Sequence, residues 1–136
     1  MRVLFSIFVL FGVSSAFAGQ DCKSADGKTT LVVSNYWLTG PSATFKSEEV
    51  TAHYAKIGLK VDVLETARDP QTGKFVAEQR KNDKGEPVLL FLQGGKSSST
   101  AWGLEFNLRT NETILRDQMG TAFVYSMQCQ STPDLE

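Results

Sequence analysis

Histidine and cysteine are almost missing from this chain of 136 residues, which has one histidine, His53, and two cysteines, Cys22 and Cys129. Donors so few and so widely separated lack the ligand spacing of a zinc site. No G-x-S-x-G elbow occurs either, so His53 has no recognisable serine to activate, and no catalytic residue, metal ligand or cofactor is expected. Blocks of like charge are absent as well. Fourteen basic and fifteen acidic residues give a formal net charge of −1, and the signs alternate along Lys56, Lys60, Asp62, Glu65, Arg68 and Asp69. This excludes the basic footprint of a nucleic-acid binder and a polybasic membrane patch. Beyond the first eighteen residues no apolar run is long enough to make a transmembrane helix, because Gly94 to Thr100 breaks the strongest one, Val88 to Leu92. Internal repeats and low-complexity linkers are missing too.

What is present begins with the amino-terminal eighteen residues. Arg2 supplies a positive start, Val3 to Val13 an apolar stretch, and Ala16-Phe17-Ala18 an A-x-A cleavage site. The three parts together read as a bacterial Sec-type signal peptide over 1–18. The stretch is shorter than the roughly 20 apolar residues a bilayer span needs. Gly19-Gln20-Asp21 before Cys22 does not fit a lipoprotein signal. The expected product is a periplasmic or extracellular protein with no membrane span after cleavage. Residues 19–130 form its one domain and 131–136 a loose tail. In an oxidising compartment the two cysteines are expected to pair, tying the start of the mature chain to its end.

Hydrophobic periodicity is two. Ile57, Leu59, Val61 and Val63 alternate with more polar residues; so do Trp102, Leu104, Phe106 and Leu108, and then Phe123, Tyr125, Met127 and Cys129. Each series predicts a strand with one face on a core. Val88 to Leu92 is apolar on both faces and reads as a buried strand. Thr30 to Leu38, rich in β-branched and aromatic residues, reads as the first strand, preceded by a looser stretch holding Cys22. Asp69-Pro70-Gln71-Thr72-Gly73, Asn82-Asp83-Lys84-Gly85 and Thr110-Asn111-Glu112 read as hairpin connections. Gly120 marks either a bulge or a break between two strands. Ser47 to Lys56 fits a helix opened by Ser47 and two glutamates, or a strand with Val50, Ala52 and Tyr54 on one face; its β-branched residues favour the strand. The sum is an all-β domain of about eight antiparallel strands. A single closed barrel, lipocalin-like or a meander, is the first choice, because closure removes exposed edges and a Cys22–Cys129 bond brings the terminal strands together; a β-sandwich is the second.

Few residues stand out for chemistry. Gly95-Lys96-Ser97 follows an apolar strand as in a phosphate loop, but Leu90 stands where that motif needs glycine, and a strand rather than a helix follows. Lys96, Ser97 and Ser98 are therefore read as a projecting loop that can enter a partner's cleft. Tyr36 and Trp37 are adjacent in a strand, so one faces out and becomes a recognition candidate. Glu48, Glu49, Glu65 and Glu105 are read as exposed carboxylates, and Asp69, Asn82, Asp83 and Glu86 as turn formers rather than calcium ligands. The plan is similar in class to small periplasmic β-barrels, among them lysozyme inhibitors and lipocalin-like binders. Ser98-Ser99-Thr100-Ala101, followed by Trp102, departs from the Ser-Ala-Ser-Gly motif of the membrane-bound C-type lysozyme inhibitors, so no residue role carries across. The function expected is binding: recognition or inhibition of an envelope or extracellular macromolecule through loops. The alternatives are a small-ligand carrier using the barrel interior and, third, a hydrolase with an unrecognised site.

Overall fold

The computed structural model describes residues 19–94 and 101–132. The expected signal segment and the loop candidates Lys96, Ser97 and Ser98 lie outside the described residues. The strands are β1 (Gly19–Ser24), β2 (Thr29–Tyr36), β3 (Gly40–Ser47), β4 (Val63–Thr66), β5 (Ala77–Lys81), β6 (Pro87–Gly94), β7 (Ala101–Asn107), β8 (Glu112–Arg116) and β9 (Ala122–Thr132). Among the described residues one helix, α1 (Glu48–Ala55), follows β3. The strands form one antiparallel sheet in the order β4-β3-β2-β1-β9-β8-β7-β6-β5, and a further β4–β6 pairing closes eight of them into a barrel. β5 is a ninth strand, laid on the part of the β6 edge that β4 does not reach.

The register aligns apolar residues across the wall. Cys129 faces Cys22, which faces Leu31, then Phe45, then Leu64. On the other side Phe91, Leu104, Leu115 and Phe123 form a second row. Because successive residues alternate faces, both rows point inward together. Cys22 and Cys129 are joined by a disulfide across the β1–β9 ladder, so the bond reinforces the pairing of first and last strands. At the opposite seam, the backbone of Ala43 is satisfied by side chains. Its N–H donates to the Thr66 hydroxyl at 2.8 Å, and its carbonyl accepts from Gln93 Nε2 at 3.2 Å. Gln93 also donates to the Leu64 carbonyl at 3.0 Å and accepts from Thr66 at 2.7 Å. Two buried polar side chains thus replace the ladder bonds that the short β4 cannot make.

Several expectations need correction. Residues 48–55 are helix, not strand. Ser47 is the N-cap and accepts the Val50 N–H at 3.3 Å, and Glu48 and Glu49 occupy the first turn, where the helix dipole favours them. Val50 and Tyr54, four apart, are the buried pair, while Ala52 is exposed. The helix ends in a Schellman motif. Leu59 N–H bonds to Tyr54 C=O at 2.9 Å and Gly58 N–H to Ala55 C=O at 3.1 Å, with Gly58 at φ 80°. That ending consumes Ile57 to Leu59, so the strand predicted from Ile57 to Val63 does not form there. Val63 and Ile57 are 40% and 57% exposed; Leu64 and Thr66 face inward, because β3 sets the phase through the Phe45–Leu64 pair. Cys22 lies within a strand rather than before the first one. Gly19, in the same strand, is needed for close approach: a Cβ there would meet Thr132 Oγ1 at 2.3 Å and the Val33 carbonyl at 2.9 Å. Gly40–Ser47 is also a strand, and β9 runs on through Ser131 and Thr132, which pair with Gln20 and Gly19. Around Gly120 the chain forms two strands joined by a turn.

Candidate functional site

Large side chains occupy the interior. Trp102, Tyr54, Phe45, Phe91 and Phe106 are all at most 2% exposed, and Phe123 is half-buried against them. α1 brings Tyr54 to this core. Its ring stands edge-on to Trp102, with centroids 5.9 Å apart, and its hydroxyl donates to Asp117 Oδ2 in the β8–β9 turn. Burial first, and then the Asp117 bond, push the Tyr54 pKa up to about 12. Burial would raise the Asp117 pKa, but bonds from Tyr54 and from the Thr121 and Met119 N–H groups outweigh it and hold the carboxyl below its usual value. The Trp102 indole N–H is buried without a hydrogen-bond partner among the described residues. Thr29, Ser47, Tyr125 and Glu49 form a second polar chain, which ends with the Tyr125 hydroxyl donating to Glu49 Oε1 at 2.5 Å. Burial, and then this bond to Glu49, raise the Tyr125 pKa. Both networks pin the helix to the wall.

The carboxylates considered from sequence are dispersed. Glu49 serves Tyr125, Glu105 pairs with Arg116 at 3.2 Å on the outer wall, and Glu65 is exposed on β4. Asp69, Asn82 and Glu86 act as turn formers. Asp69 Oδ1 accepts Gln71 N–H at 2.8 Å, and Asn82 Oδ1 accepts Lys84 and Glu86 N–H at 3.0 and 2.9 Å. His53 stands edge-on to the rings of Tyr54 and Phe123. Among the described residues no group of three or more His, Cys, Asp or Glu could hold a metal ion, and no helix is long and apolar enough to cross a membrane.

What the fold displays is the β2–β3 hairpin. Tyr36 pairs with Gly40, and Trp37, Leu38 and Thr39 form the loop between them. Gly40 sits at φ 88°, a left-handed conformation that glycine adopts without steric cost. Trp37 is 80% exposed and Leu38 70% exposed. The tip is braced from below. The Tyr36 ring lies 5.6 Å from that of Phe75, the Arg68 guanidinium carbon sits 4.4 Å from the Phe75 centroid, and Phe75 N–H donates to the Thr39 carbonyl at 2.9 Å. Of the two adjacent aromatics, Tyr36 is therefore the packed one and Trp37 the presented one. Leu38, Phe75 and Arg68 were not singled out from sequence. An apolar pair one residue short of Gly40-Pro41 was the available signal for Leu38; the bracing residues Arg68 and Phe75 stand 31 and 38 positions beyond Trp37 and leave no local trace. An adjacent exposed tryptophan and leucine on a braced turn can act as an apolar anchor beside a cation. An open groove of about 470 Å³, lined by Val76, Leu90 and Leu92 among others, runs along β5 and β6. No family model, curated protein or solved structure matches this chain.

Proposed function

We propose that this is an exported binding protein that recognises another macromolecule in the cell envelope or outside the cell, with the β2–β3 hairpin tip as its anchor. The observation that carries the reading is the joint exposure of Trp37 and Leu38 on a turn held rigid by Tyr36, Phe75 and Arg68. Leaving both side chains in water forgoes about 1.5–3 kcal/mol for the leucine alone, which a partner recovers on contact. Tryptophan is also the residue most enriched among interface hot spots. The large side chains that occupy the interior favour surface recognition over carriage of a small ligand there, which needs a lined cavity of at least about 300 Å³. The amino-terminal signal pattern and the Cys22–Cys129 bond support export. In the inhibitory form of this reading, the tip fills a cleft of its partner.

A photoreactive phenylalanine analogue at position 37, expressed in the producing cell, tests it. A discrete adduct is expected from position 37, lost on adding Leu38→Asp. None is expected from the same analogue at Val124, which is exposed on the outer wall. Failure to form an adduct at 37, or the same adducts from both positions, would overturn the proposal.

A further inference from the structure

The closed barrel has one strand, β5, whose outer edge has no partner strand among the described residues. Its sequence is Ala77-Glu78-Gln79-Arg80-Lys81. Backbone parity determines which groups that edge presents. Leu92 N–H donates to the Val76 carbonyl at 3.0 Å, and Asn82 N–H donates to the Glu86 carbonyl at 2.9 Å. In an antiparallel ladder hydrogen-bonded positions alternate, so Glu78 and Arg80 face Leu90 and Val88 of β6 with their backbone groups. The N–H and C=O of Ala77, Gln79 and Lys81 therefore point away from the barrel.

We propose that β5 is a homodimerisation edge, pairing antiparallel with β5 of a second copy about a twofold axis at Gln79. In that register Ala77 faces Lys81 of the second copy, Gln79 faces Gln79, and these outward groups make six ladder bonds. Glu78 then faces Arg80 of the second copy, and Arg80 faces its Glu78. These are the non-hydrogen-bonded positions, where opposed side chains approach most closely. Within one chain the two already share a face and pair at 2.9 Å, both well exposed. The neighbouring registers that keep the same backbone parity set Glu78 against Glu78 or Arg80 against Arg80, so charge selects one register. Charged residues on an edge strand deter foreign strands; here the same charges attract a copy of themselves. An isologous contact of this kind closes after two subunits. Five residues a side make it a small interface, so association is weak and concentration-dependent.

Sedimentation velocity on protein purified after expression of the full chain, up to about 1 mM, reads the equilibrium. Wild type is expected to dimerise reversibly. Glu78→Arg alone and Arg80→Glu alone each place like charges opposite one another twice, and each weakens association at least about tenfold. The double reversal restores it. An equimolar mixture of the two single variants, each monomeric alone, forms a heterodimer, which a mere folding defect could not produce. A wild type monomeric at every concentration overturns the proposal; so does a dimer indifferent to both reversals. The proposed ladder uses none of Trp37, Leu38 or Thr39, and the adduct at position 37 is scored independently of it.

Discussion

Replacing Tyr54 with phenylalanine tests how the helix is fastened to the barrel. The Tyr54 side chain is fully buried and its hydroxyl donates to the Asp117 carboxylate. A hydrogen bond to a charged group contributes about 1.5–3 kcal/mol net, so Tyr54→Phe is expected to lower stability by about that amount at pH 8. The pKa of Tyr54 gives a second, independent handle. It stands at about 12 in the folded protein, against an ordinary value of 10.0. A group whose folded pKa is raised contributes stability that is whole below the unfolded value and is lost as pH climbs through the folded one. Two pKa steps at about 1.36 kcal/mol each amount to roughly 2.7 kcal/mol, of which about 1.4 kcal/mol is gone by pH 11. The phenylalanine variant cannot lose it. Urea unfolding of both proteins at pH 8, 10 and 11 should show the gap between them narrowing by about 1.4 kcal/mol; other alkaline titrations are shared and cancel in the difference. A gap that stays constant across this range, or a variant as stable as wild type at pH 8, would refute the argument.

On the acid side, the depressed Asp117 pKa contributes stability present above 3.8 and lost as pH falls through the folded value, so Asp117→Asn should destabilise at pH 6 and converge with wild type in acid. Replacing Cys22 and Cys129 with alanine frees a loop spanning 107 positions and should cost about 4.7 kcal/mol in the chain-entropy model, read from unfolding midpoints. Gln93→Leu removes the amide that bonds the Ala43 and Leu64 carbonyls and the Thr66 hydroxyl at the β4–β6 seam and should cost about 1–3 kcal/mol; a neutral outcome would mean the seam does not depend on its side-chain bonds.

The strands that could be read from sequence were those whose inward residues are large and apolar. In β7, Trp102, Leu104 and Phe106 are all buried, and no alternative structure matches that spacing. β1 and β3 carry few such residues. Gly19 to Ser24 has only Cys22, and Gly40 to Ser47 hides Ala43 and Phe45 among serine, threonine and proline. Their strand character comes from neighbours and from the disulfide, which are long-range facts. α1 was ambiguous because Val50 and Tyr54 are four apart, a spacing that suits both periods; the Ser47 cap decided between them. The misplaced strand at Ile57 shows a real alternation overridden by the helix's Schellman ending. At the proposed recognition surface, Trp37 was legible as one of an adjacent aromatic pair. Its brace of Phe75 and Arg68 depends on the β4–β5 connection folding back under the hairpin, which no local pattern encodes.

The central claim is that the barrel is a rigid support for an exposed anchor. Its most direct test is the affinity of the cross-linked partner for purified wild type and for Trp37→Ala, measured by calorimetric titration alongside thermal unfolding. The account predicts binding weakened by at least about thirtyfold, a hot-spot loss of about 2 kcal/mol, with unfolding stability changed by less than about 0.5 kcal/mol, as for a side chain that supports nothing beneath it. Undiminished affinity with Trp37 removed would contradict it.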